Sequence, residues 1–152
     1  PDISERLKAR FEERLKALPL KNVVEVLRPM DDPVPPEAAN LDAITFLFAY
    51  HDTAYQPVDR AKMNKALFAA LKPGGTFVIG DHAAAPGSGI SVVKTLHRID
   101  EDTLKKEVEA AGFKFVGSAD FLRHPEDPHT EPVFQRKENI DDFLLKFEKP
   151  RS

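Results

Sequence analysis

Three short clusters hold the side chains best suited to chemistry: Tyr50-His51-Asp52, Asp81-His82 and His97-Arg98. Histidine is the side chain whose ordinary pKa suits proton transfer near neutrality, which makes His51 and His82 candidate bases, with Asp52 beside the first. The same residue types also ligate zinc or manganese. A metal site built on His51, Asp52, Asp81 and His82 requires four side chains to converge within about 2.0–2.2 Å of one ion, and their spacing matches no known metal motif. His97 and Arg98 could reach over a site as a lid, Arg98 fixing a carboxylate; the alternative is a solvated helix end. His124 and His129 are expected at the surface.

The first two clusters are placed by strands. Pro73 cannot continue a helix, and Gly74 and Gly75 supply the positive φ angles that end one. Thr76 to Ile79 is β-branched or aromatic and too short for a helix, so a buried strand runs out to Gly80 and leaves Asp81 and His82 at its carboxyl end. Leu41 to Ala49 is a nearly continuous apolar run, as expected of a strand covered on both faces, and it delivers residues 50–52 to its own carboxyl end. Ligands of open α/β sheets sit outside the carboxyl ends of the strands. The two clusters are therefore expected on one rim.

The remaining elements follow from periodicity. Asp2 to Glu5 has the form of a capping box, and Ile3, Leu7, Phe11, Leu15 and Leu18 recur at helical spacing up to Pro19. Residues 22–28 read as a strand, and residues 29–36, with four of the 13 prolines, as an irregular loop. Met63, Ala66, Leu67, Ala70 and Leu71 mark a second helix. Residues 83–89 are small and expected to be mobile, and residues 90–96 suggest a short helix. Acids in the first turn favour a further helix from Asp100, closed by Gly112. Residues 113–117 read as a strand, 120–139 as a polar excursion and 142–148 as a last strand. Helices alternating with buried strands predict a Rossmann-like α/β fold, a three-layer αβα sandwich in one domain over residues 1–152. Its sheet should be mostly parallel, with an antiparallel insertion at one edge.

Composition narrows the functions. A net charge of −3 over 152 residues gives no reason to expect a nucleic-acid surface, where a basic patch should show. No apolar run approaches the roughly 20 residues that span a bilayer. The absence of cysteine removes disulfides, thiolate metal sites and cysteine nucleophiles. The chain opens on Pro1 with no charged-then-apolar leader, so a removed segment or a longer parent chain is expected. The cytoplasm is the expected compartment, or the periplasm if a leader has been removed.

Leu71 to Gly75 before a strand, Ala111 to Phe113 before the next, and the closing Phe143 to Phe147 strand resemble the carboxyl-terminal two-thirds of class I S-adenosylmethionine (SAM)-dependent methyltransferases. Residues 50–52, 59–64, 80–82 and 94–100 resemble more narrowly a bacterial group of predicted methyltransferases without a defined substrate. The resemblance implies SAM as cofactor, a small-molecule methyl acceptor, cofactor contacts from Asp2, Asp31, Asp32, Phe48 and Tyr50, and substrate contacts from Asp81, His97 and Arg98. Catalysis would fall to His51, Asp52 and His82: methyl transfer mainly aligns donor and acceptor, and an oxygen or nitrogen acceptor also loses a proton. An aromatic face such as that of Tyr50 can favour a sulfonium cation.

Each residue also has a structural alternative: a helix cap for Asp2, turn chemistry for Asp31 and Asp32, packing for Tyr50 and capping for His51. The glycine-rich loop that wraps the methionine end of SAM in this family has no match here, nor do the family's first two strands. An open sheet edge would invite association, so a homodimer is expected. A non-catalytic module that assembles through its sheet stands as the alternative to an enzyme, with the metal-dependent hydrolase behind it.

Overall fold

The computed structural model describes residues 3–18 and 20–151. Asp2 and Pro19, expected to cap and close the first helix, lie outside them. Helix α1 (Ile3–Ala17) forms as its periodicity predicts, with Leu7 and Phe11 of its apolar stripe exposed.

The strand expected over residues 22–28 does not form. A strand exists by pairing its backbone, and among the described residues no ladder joins this segment. Val24 and Leu27 are 83% and 73% exposed. The apolar alternation is present; the neighbour is not.

The sheet holds four strands: β1 (Leu41–Leu47), β2 (Leu71–His82), β3 (Lys114–Ala119) and β4 (Asp142–Glu148), in the order β1-β2-β4-β3. β1 and β2 are parallel, and β4 runs antiparallel to both β2 and β3, so three of the four strands point the same way. The antiparallel strand sits inside the sheet rather than at its edge. Residues 72–75, expected as a turn before the strand, are instead a bulge within β2, because Leu41 pairs with Leu71 and Ala43 with Thr76. Gly74, at φ +78°, makes that bend possible.

One face of the sheet is the core. Phe77, Ile79, Phe143, Leu145 and Phe147 are buried there with Met63 and Leu67 of α3 (Arg60–Ala70) and Leu104 and Val108 of α5 (Glu101–Ala110). The side chain of Asp59 accepts from the Lys62 N–H at 2.9 Å and starts α3; Gly112, at φ +110°, follows α5. A partly buried polar set ties the two helices. Glu107 accepts from Tyr50 Oη and Arg60 Nε, both at 2.8 Å, and Asn64 Nδ2 donates to Tyr50 Oη at 2.8 Å.

β1 was expected to be covered on both faces, yet Asp42, Ala43, Thr45 and Leu47 are exposed, and among the described residues no strand pairs with its outer edge. Residues 83 and 84, expected to be mobile, are pinned: both are buried, and their amides donate to the carbonyls of Asp141 and Ile99. Among the described residues no helix is long and apolar enough to cross a membrane.

Candidate functional site

The parallel pair β1–β2 brings the two clusters together as expected. After β1 the chain turns at Phe48, whose φ of +56° is rare for a residue with a side chain, and its amide donates to Gly80 O at 2.8 Å. One helical turn, α2 (Tyr50–Thr53), then drops His51 beside Asp81 at the end of β2.

Asp81 is fully buried and accepts three hydrogen bonds: from the His51 amide at 2.8 Å, the His82 amide at 2.8 Å and the His51 ring, whose Nδ1 lies 2.7 Å away. A carboxylate already accepting two amides is an acceptor for the ring as well, so the proton sits on Nδ1 and the lone pair of His51 on Nε2. His82 repeats the arrangement. Its Nδ1 lies 2.7 Å from Asp142 Oδ1, the residue it faces across the β2–β4 ladder, and Phe48 stacks over its ring at 5.2 Å. The two imidazoles are 5.7 Å apart.

A third histidine closes the rim. The short helix α4 (Val93–Leu96) ends at His97, held at φ +55°. Its ring meets that of His51 edge-on at 5.5 Å and touches Tyr55 and Phe134. Asp52 Oδ1 lies 3.3 Å from His51 Nε2 and 3.7 Å from His97 Nδ1, and accepts from Tyr55 Oη at 2.7 Å. Burial pulls the His51 pKa down, but the hydrogen bond and charge of Asp81, with the charge of Asp52, outweigh it and hold the ring above its ordinary value. Backbone strain at Phe48 and at His97 brackets this one place, a pattern found where function requires it.

The site thus gathers His51, Asp52, His82, His97 and Phe48. Asp81 belongs to it as the group that orients His51; fully buried, it offers nothing to a substrate. Tyr50 is a correction. Its ring is wholly buried, and burial followed by the charge of Glu107 pushes its hydroxyl well above the ordinary range. Arg98 is another: fully buried, it gives Nη1 to Ala83 O and Nε to Glu131 O, and Nη2 lies 2.9 Å from Asp127 Oδ2. It anchors the excursion rather than a ligand. Asp31 pairs with Lys62 at 3.0 Å and Asp32 with Arg28, and Asp2 lies outside the described residues. His129 is no free surface group, since its Nε2 lies 3.0 Å from the buried Asp141.

The four-ligand metal set also fails to converge. Asp81 takes the Nδ1 side of His51 and His82 turns to Asp142, while His51, Asp52 and His97 come together instead. The sequence reading missed Asp142, Tyr55 and Phe134. Only the register of β4 against β2 reveals the first, and the packing around His97 the other two.

No family model matches the sequence, and no curated relative matches it. Solved structures do match. A SAM-dependent methyltransferase from Aquifex aeolicus aligns over 90% of this chain and 60% of its own, at TM-score 0.58 and 19% identity. An S-adenosylmethionine-dependent methyltransferase from Clostridium acetobutylicum aligns over 98% of this chain and 73% of its own, at TM-score 0.65 and 11% identity. The fold is that of the SAM-dependent methyltransferases. The chain spans about 60% of the length of the Aquifex protein. A methyltransferase fold does not by itself give the reaction: SpnF, described as a [4+2]-cyclase, aligns over 93% of this chain and 61% of its own at TM-score 0.63 and 13% identity.

Proposed function

We propose that the protein is a SAM-dependent methyltransferase acting on a small-molecule acceptor, with its proton chemistry on His51 and His82. The observation that carries this reading is the 2.7 Å contact of His51 Nδ1 with the fully buried Asp81, on the rim where open α/β sheets bind ligands. It leaves Nε2 as a fixed acceptor, and His82, on Asp142, presents a second.

The donor supplies a methyl group on a sulfonium, displaced in line by the acceptor. The chain's own part is to hold the acceptor, keep water off and take its proton; a positioned base contributes roughly 10²–10⁴-fold. Fit to the donor is partial. Phe48, 40% exposed and stacked on His82, offers an aromatic face at the rim, and the carboxylates of Asp31 and Asp32 are tied to cations only through partly exposed pairs. Tyr50 offers none, and the sequence has no glycine-rich loop for the methionine end.

Calorimetric titration with SAM tests the reading: micromolar binding supports it, and no binding by the full chain ends it. Given a methylated acceptor, His51→Ala should lower the transfer rate by roughly 10²-fold or more. An unchanged rate would dismiss His51 as the base.

A second reading rests on the outer edge of β1, which no strand pairs among the described residues: a homodimer assembled through that edge. Light scattering across a concentration series reads it directly, and a monomer at every concentration removes it.

A further inference from the structure

His51, Asp52 and His97 each offer a ligand atom within 4.8 Å of the other two, and Asp52 Oδ1 lies 3.3 Å from His51 Nε2 and 3.7 Å from His97 Nδ1. A tetrahedral ion with bonds of about 2.0–2.2 Å holds its ligands roughly 3.3–3.6 Å apart. The trio needs only small side-chain adjustments to meet that geometry.

The surroundings hold each of the three side chains. Asp81 takes Nδ1 of His51, which fixes the ring and leaves Nε2 as the donor atom, the carboxylate–histidine support typical of metal ligands. Tyr55 Oη donates to Asp52, steadying the carboxylate. His97 sits in a left-handed backbone conformation, with its ring packed edge-on against Tyr55 and Phe134. His51 is buried, while the side chains of Asp52 and His97 are 35% and 26% exposed, so one side of the trio opens on solvent.

We propose that His51 Nε2, Asp52 and His97 Nδ1 bind a single divalent cation of the zinc, cobalt or manganese class, with the remaining position open at the rim. Two imidazoles and a carboxylate suit those ions, and three protein ligands with an open position are the arrangement of catalytic rather than structural sites. This deepens the methyl-transfer reading and rests on it only for the occupant of the open position. A hydroxyl acceptor placed there would give its proton to His82 Nε2, because the cation's charge favours the oxyanion. The oxygen's electron pair would form the bond to the methyl carbon as the S–CH3 bond breaks, its pair staying on the sulfonium sulfur, which leaves as a neutral thioether. His51 would then be a ligand, and His82 the base.

The full chain, freed of metal by chelator dialysis, is titrated with cobalt(II) chloride and followed by visible absorption. The expected result is uptake of one equivalent with the ligand-field band of tetrahedral cobalt. His97→Ala and Asp52→Asn should each abolish the band, and Tyr55→Phe should weaken binding by roughly tenfold. Asp52→Asn keeps the side-chain shape and guards against a folding artefact, which circular dichroism checks in both variants. Absence of stoichiometric uptake, or uptake unchanged in both variants, overturns the site. A SAM titration in parallel separates the two ideas: SAM binding without cobalt uptake overturns the cation site alone, and cobalt uptake without SAM binding supports it while ending the methyl-transfer reading.

Discussion

The two sides of the sheet are built differently. On the β2–β4–β3 side the inner strands β2 and β4 are paired along both edges, β3 is the second edge strand, and Phe77, Phe143 and Phe147 are at most 1% exposed beneath α3 and α5. On the β1 side the outer edge has no ladder among the described residues. Ile44, Phe46, Met63 and Leu67 there line an apolar cavity of about 180 Å³, and the 20–27 segment, which joins no ladder among the described residues, leaves its valines exposed. Stability should therefore reside on the first side and association on the second, with the histidine rim at the junction of β1 and β2. The comparison teaches that a chemically organised site can sit on the border of a sheet that is half finished.

The largest test of that contrast is Phe77→Ala, which empties the middle of the filled side. It should cost about 3–5 kcal/mol in urea unfolding, and a loss below about 1 kcal/mol would mean that the core is elsewhere. Next comes the polar tie between α3 and α5. Burial draws the Glu107 pKa up, but hydrogen bonds from Arg60 and Tyr50 and the Arg60 charge outweigh it, so the folded value lies below the ordinary one. A depressed carboxylate adds stability that is fully present above its unfolded pKa of about 4.3 and fades as pH falls through the folded value. Glu107→Gln should lower stability at neutral pH by about 1–3 kcal/mol and flatten the loss below pH ~4. An acid limb as steep as that of the parent chain would assign it to other groups, Asp127 first, which burial raises but the Asp141 and His129 amides and Arg98 lower further.

The smallest effect is the sharpest for the open side. Val24→Ser should change stability by no more than about 0.5 kcal/mol in dilute solution, as for any residue with nothing packed on it. If the cost grows with protein concentration, that segment is covered in an assembly. If it is large at every concentration, the contrast between the two sides is wrong.

Much of the architecture could be read from residue order. Pro73 with Gly74–Gly75 before Thr76–Ile79 located β2, and the strand-end rule placed residues 50–52 and 81–82 on one rim before any coordinates. The failures have physical causes. The 22–28 segment has strand composition, but composition does not create a neighbour. Tyr50 looked like a site residue because it adjoins His51; a single helical turn sends adjacent side chains in different directions, and Asn64 and Glu107 satisfy its hydroxyl inside the core. Arg98 adjoins His97 but follows the left-handed turn that ends α4, and its guanidinium is taken up inside by Ala83, Glu131 and Asp127. Asp142 was invisible because its relation to His82 exists only through antiparallel pairing across 60 residues of chain.

Arg98 has a consequence for how an acceptor would be chosen. Its guanidinium joins Ala83, just past the end of β2, to Glu131 and Asp127 in the excursion, and Val133 is tied by its amide to Leu96 O at 3.1 Å. Phe134, the aromatic that leans on His97, is therefore mounted on a riveted frame rather than a hinged flap. On the methyl-transfer reading, an acceptor reaching the histidines would meet a standing template rather than a door that shuts behind it.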